Sequence, residues 1–137
     1  MPGLIQHIDA IARAKKRAAL YLEFHPQARS EWRNYRFDDD PVRSGILAWL
    51  DAHGVRWDAC GPFADPGRMA PYLGQVYLDV PYDEALPEYR TLRDFLELPD
   101  ETMRHPGVRF FVMPLDYAMQ NAEHDEPGYW KRWAESF

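Results

Sequence analysis

Residues 18–26 read AALYLEFHP. Ala18, Leu20, Leu22 and Phe24 fall on one side of a two-residue beat; Ala19, Tyr21, Glu23 and His25 fall on the other. Successive side chains of an extended chain point to opposite faces, so this alternation marks a strand with one face on a core. Pro26 ends the ladder because it has no amide hydrogen to donate. Three more segments keep the beat. Val55–Cys60 sends Val55, Trp57 and Ala59 inward and Arg56, Asp58 and Cys60 outward. Gly74–Val80 sends Val76, Leu78 and Val80 inward and Gln75, Tyr77 and Asp79 outward. Val108–Met113 sends Val108, Phe110 and Val112 inward and Arg109, Phe111 and Met113 outward.

Helices separate these strands in pairs. Asp40 followed by Pro41 is a capping residue before a proline at the first helical position, and Gly54 supplies a left-handed stop. Between them Val42, Ile46, Trp49, Leu50 and His53 share a face. A second helix is expected from Pro87 to Leu98, with Tyr89, Leu92, Phe95 and Leu96 as its apolar side and Pro99 as its stop. Outside this frame, Leu4–Arg17, Asp116–Ala122 and Tyr129–Phe137 read as helices. Gln27–Asp39 reads as an ordered loop or short helix, and the Pro/Gly-rich segment from Gly61 to Leu73 as a long loop.

The order strand–helix–strand–strand–helix–strand predicts an α+β fold, a ferredoxin-like split βαβ sandwich. Its four-stranded antiparallel sheet would carry strands one and three in the middle, helices on one face and an open second face. The alternative is an irregular α/β sandwich in which the first helix joins the layer covering the sheet. A chain of 137 residues is one domain, 1–137, in which 1–17 and 123–137 read as helical extensions.

The composition narrows the function classes. The net charge of −6 disfavours nucleic acid, whose phosphates would be repelled. Tyr21 and Tyr77 on central strands resemble the exposed aromatics of RNA-recognition domains. However, 73–79, LGQVYLD, lacks the leading basic residue and first aromatic of that motif, and Asp79 stands where phosphate would pass. Cys60, the one cysteine, excludes an internal disulfide and a cysteine zinc site, and reads as a small buried hydrophobe. The absence of a leader or a long apolar run points to a soluble cytoplasmic protein with no membrane partner. Some tautomerases use an N-terminal proline as a base, but they begin a strand there; after Pro2 this chain has Gly3 and an amphipathic helix.

No metal or cofactor is expected. His124-Asp125-Glu126 is the densest set of ligand types, but adjacent residues do not turn readily to one ion, and the set reads as solvated loop. Asp38-Asp39-Asp40 lacks the spaced, glycine-containing loop of a calcium site.

Two functions remain. The first is a small acidic binding protein that neutralises a basic protein partner, a broad profile shared by toxin-neutralising immunity proteins. Its contact candidates are Trp32, Tyr35, Asp38, Asp39, Phe63, Tyr72, Asp79 and Tyr82: aromatics to anchor and carboxylates to steer. The second is a small-molecule enzyme or sensor with a pocket on the open sheet face, where His25, Glu23 and Asp79 would supply acid–base chemistry and Tyr77 orientation. In that version two open faces would pack together as a homodimer.

Overall fold

In the computed structural model, residues 5–26, 29–64 and 72–135 are described. Pro2, Leu4, Phe137 and residues 65–71 of the long loop lie outside them, but residues 5–7 are described and are not helical: the helix expected over Leu4–Arg17 runs only over Ile8–Lys15, since His7 bridges to Gly61 and Lys16 turns left-handed. The strands are β1 (Ala19–Phe24), β2 (Trp57–Ala59), β3 (Val76–Leu78) and β4 (Val108–Met113). They form one antiparallel sheet in the order β2-β3-β1-β4, so β1 and β3 are central. The α-helices are α1 (Ile8–Lys15), α2 (Pro41–Ala52), α3 (Pro87–Leu96), α4 (Leu115–Ala118) and α5 (Tyr129–Glu135). Short 3-10 turns at Arg29–Asn34 and Phe37–Asp39 precede α2, and a 3-10 segment, Met119–Asp125, follows α4.

Local chemistry sets the helix ends. The Asp40 carboxylate accepts from the Val42 amide at 2.9 Å and also from the Tyr35 hydroxyl at 2.8 Å. Gly54 ends the segment after α2 at φ +69, a conformation that favours glycine. Helix α3 stops two residues earlier than Pro99 suggested. Glu97 is extended, and Arg104 folds back to donate to the Asp94 and Glu97 carbonyls, both at 3.2 Å. Gly74, at φ +92, lets the Phe37 side chain approach so closely that a Cβ would lie 2.4 Å from the Phe37 Cβ. That contact and the Arg43 guanidinium on the Gly74 carbonyl (3.0 Å) pin the 3-10 turn to the start of β3.

Most inward residues of the sheet meet α2 and α3 as the alternation requires; Val112, expected inward, is instead exposed, because the main core reaches edge strand β4 only at Val108 and Phe110, while Met113, expected outward, enters the second core. Leu20, Leu22, Val76 and Leu78 pack with Ile46, Leu50, Leu92 and Leu96 in the main core. Trp49 and Phe95, half-buried at its edge, stack with centroids 3.9 Å apart.

The other face differs from the expectation. Helices do not lie on one side only: α1 closes a second core there, in which Ile8, Ile11 and Ala12 cover Ala19, Cys60, Tyr77 and Met113, with Ala118 of α4 beside them. Gln75 and Tyr77, expected on an open surface, are buried, Tyr77 to 4 % exposure. The physical reason is a buried ion pair. Asp9, wholly buried, accepts from Arg13 at 2.7 Å, from the Ala64 amide at 2.9 Å and from Asn121 at 3.2 Å. Arg13 also grips Asp125 with two bonds (2.8 and 2.9 Å) and donates to the Ala118 carbonyl at 3.0 Å. Burial pushes the Asp9 carboxyl up, but these hydrogen bonds outweigh it and hold the group below the usual carboxylate range. The segment 123–126 is therefore not simply solvated loop: Asp125 is Arg13's partner, and His124 is buried.

Leu50→Ala is expected to cost about 3 kcal/mol in urea unfolding, because the main core closes around that side chain. Arg13→Ala should cost about as much, by leaving Asp9 charged, buried and short of its cation. A loss below about 1 kcal/mol for Arg13→Ala would show that α1 is not clamped.

Candidate functional site

The sheet-face pocket expected around His25, Glu23 and Asp79 is not assembled. In the antiparallel register Leu20 faces Leu78 and Leu22 faces Val76, so Asp79 aligns with the start of β1 and His25 lies beyond its end. Six residues of strand, about 20 Å, separate them. Asp79 is instead neutralised at the α1 end. It takes Arg17 at 2.9 Å, Lys15 at 3.5 Å and the Tyr77 hydroxyl at 2.9 Å.

Glu23 stays half-buried on the sheet, directly across from Arg109. Burial raises its carboxyl, against the opposing pull of Arg109 and His25. Burial also pushes the Tyr21 hydroxyl and the Cys60 thiol up to about 12 each, with Glu23 adding to both. Cys60 is therefore a protonated, inaccessible side chain at neutral pH, consistent with its reading as a small hydrophobe. A face-to-face homodimer is obstructed as well, because α1 occupies part of that surface and its Ile8, Ile11 and Ala12 are already buried.

The eight expected contact residues fall into separate regions. Trp32, 44 % exposed, meets Tyr35 edge-on, and Asp38 and Asp39 follow in the next turn. Beside them His25, Tyr35, Asp39 and Asp40 line a cleft of about 530 Å³. Tyr72 points inward, packs on Phe37 and donates to the Gln75 carbonyl at 2.9 Å. Phe63 packs with Tyr117 against the second core. Asp79 lines a second cleft, of about 510 Å³, between the end of α2 and the start of α3, and Tyr82 follows Val80 and Pro81 of its wall in the chain. Tyr82 is 50 % exposed and is braced edge-on by Tyr89 at 5.3 Å.

Charge singles out this second region. Residues 79–101 hold eight carboxylates against two arginines, Arg90 and Arg93. That stretch alone accounts for a charge of −6, as much as the net charge of the whole chain. Asp83, Glu84, Glu88 and Asp94 within it are exposed. Among the described residues, no group of three or more His, Cys, Asp or Glu side chains is arranged to hold a metal ion, and no helix is long and apolar enough to cross a membrane.

No family model, curated protein or solved structure matches this chain. The residues that sequence reasoning missed are Asp9, Arg13 and Asn121, and His124, read as part of a solvated loop, is buried. The Asp9–Arg13 spacing of four beside an apolar stripe was the available signal for the first pair. Nothing local marks Asn121, which is recruited across the fold, and nothing local shows that His124 is buried.

His124 is 5 % exposed, stacks on Tyr129 at 4.4 Å, and its Nδ1 has no hydrogen-bond partner. Burial lowers its pKa; Asp9 and Glu123 pull the other way, while Arg13 and His7 oppose protonation. A histidine kept neutral in the fold contributes stability that is full above its unfolded pKa of about 6.5 and declines as pH falls below it, because the unfolded chain takes the proton first. The urea midpoint should therefore drop between about pH 7 and pH 5, and His124→Phe should flatten that slope. An unchanged slope in the variant would assign the titration elsewhere.

Proposed function

We propose that this chain is a binding protein for a basic protein partner, which it neutralises by covering it. The fold reading that goes with this is a ferredoxin-like split βαβ sandwich with added helices, supported by the order β2-β3-β1-β4 and by α2 and α3 packing in one core. The observation that carries the functional reading is the segregation of charge. Exposed carboxylates, among them Asp83, Glu84, Glu88 and Asp94, stand on the 79–101 segment, which also carries the half-exposed ring of Tyr82. An acidic field attracts a basic partner over about a Debye length and speeds encounter, and a partly exposed aromatic then supplies contact area at little entropic cost.

The separation of His25 from Asp79 weakens the enzyme reading, and the burial of Cys60 removes a nucleophile. A free, buried cysteine also suits a cytoplasmic setting for the encounter.

The test uses a lysine-rich peptide as probe in stopped-flow fluorescence. Association should slow about tenfold between about 20 and 200 mM NaCl. Glu84→Lys with Glu88→Lys, both on the exposed acidic surface, should produce a similar slowing at low salt. A rate indifferent to both salt and charge reversal would overturn the reading.

A further inference from the structure

We propose that the cleft at the start of α2 is a binding site for a small zwitterion, a free α-amino acid with an apolar side chain. The inference does not rest on the basic-partner reading. The site lies apart from the second cleft, which is at the other end of α2; that helix has 12 residues, so its ends stand about 18 Å apart.

The walls are stiff. Pro26, Pro41 and Pro106 line the cleft together with Val42 and the ring of Tyr35. Proline has a fixed φ and no amide hydrogen, so these walls are rigid and largely apolar. Hydrogen bonds hold them in place. The Tyr35 hydroxyl donates to Asp40 at 2.8 Å, and the Val42 amide donates to the same carboxylate at 2.9 Å. The His25 amide donates to the Gly107 carbonyl at 2.9 Å, which ties the turn carrying Pro106 to the end of β1. Little freedom is left to be lost when a ligand enters. The volume, about 530 Å³, lies in the range of small-molecule sites.

The same lining carries two opposite charges that do not neutralise each other. Among the described residues, neither the Arg36 guanidinium nor the Asp39 carboxylate makes a hydrogen bond or an ion pair, although both line the cleft. The Asp39 amide donates to the Arg36 carbonyl at 3.1 Å, so a closed turn sets the spacing between them. Asp40, the other carboxylate of the lining, is already used by the Val42 amide and the Tyr35 hydroxyl. A ligand that carries both signs meets Arg36 with its carboxylate and Asp39 with its ammonium; an ion of one sign leaves the opposite group unmatched. His25 adds a further acceptor. Its Nδ1 lies 2.9 Å from the Pro26 carbonyl, which can only accept, so Nδ1 carries the hydrogen and Nε2 of the neutral ring keeps its lone pair. No other charged side chain lines the cleft, so the rest of the ligand is uncharged and rests on the proline, valine and tyrosine walls.

The probes are L-phenylalanine, L-phenylalaninamide, which lacks the carboxylate, and N-acetyl-L-phenylalanine, which lacks the ammonium. The last two also imitate the first and last residues of a protein chain. In NMR titrations of the full chain, L-phenylalanine should shift the Val42 methyl and His25 ring resonances and bind about tenfold tighter than either analogue. Arg36→Gln should erase the difference between phenylalanine and its amide, and Asp39→Asn that between phenylalanine and its N-acetyl derivative. Both residues are exposed, so an unchanged urea midpoint serves as the control that the fold is kept. Tighter binding of either analogue would assign the cleft to a protein terminus and overturn the amino acid as its occupant. Equal affinity for all three probes, shifts confined to residues away from the cleft such as Val55 and Val80, or no shifts at millimolar phenylalanine would overturn the site itself.

Discussion

The Asp9–Arg13 pair, buried between α1 and the 119–125 segment, is the contact on which the arrangement of this molecule turns. A buried ion pair is stable only when its remaining hydrogen-bonding capacity is met. Here Ala64, Ala118, Asn121 and Asp125 meet it from two distant parts of the chain. The same network seats α1 on the sheet, ties the C-terminal segment to α1, and anchors the beginning of the long loop. Its hydrogen bonds are directional, so it fixes how α1 is seated more tightly than apolar contact would.

That seating redistributes the surface. With α1 over Ala19, Tyr77 and Met113, the sheet face no longer serves as an open platform. The basic end of α1 reaches Asp79 and cancels one carboxylate of the acidic stretch. The remaining negative charge stands on α3 and the loops around it, beside a cleft with an aromatic wall. The binding reading thus moves from the sheet to the margin of the helical layer. There Trp49, on the apolar face of α2 by sequence pattern and at the core's edge in the structure, also lines an accessible surface.

Legibility differed by the range of the interaction involved. The strand alternation and the Asp40-Pro41 start depend on neighbours within a few residues, and the inward faces of β1 and β3 and the start of α2 match them, whereas Val112 at the edge of the sheet does not. The end of α3 was displaced by Arg104, which lies beyond the helix and caps it from downstream. Tyr77 and Gln75 looked solvent-facing because alternation says which side of a sheet a residue is on, not what covers that side. Among the contact candidates, Tyr82 and Trp32 are exposed, whereas Tyr72 is turned inward by its hydroxyl's bond to the Gln75 carbonyl. Aromatic character in a loop does not by itself distinguish a surface anchor from a packing group.

The amino-acid order alone determined the α+β class, which residues of β1 and β3 enter the main core, where α2 begins, and the acidic balance. These follow from backbone geometry, capping and composition, which act locally or sum over the chain. Only the tertiary structure decided that α1 covers the second face, that Asp79 is paired while Glu84 and Glu88 stand exposed, and that His25 and Asp79 lie at opposite ends of the sheet. Those outcomes depend on strand register and on side chains more than a hundred residues apart, such as Arg13 and Asp125, which nothing in the local pattern specifies.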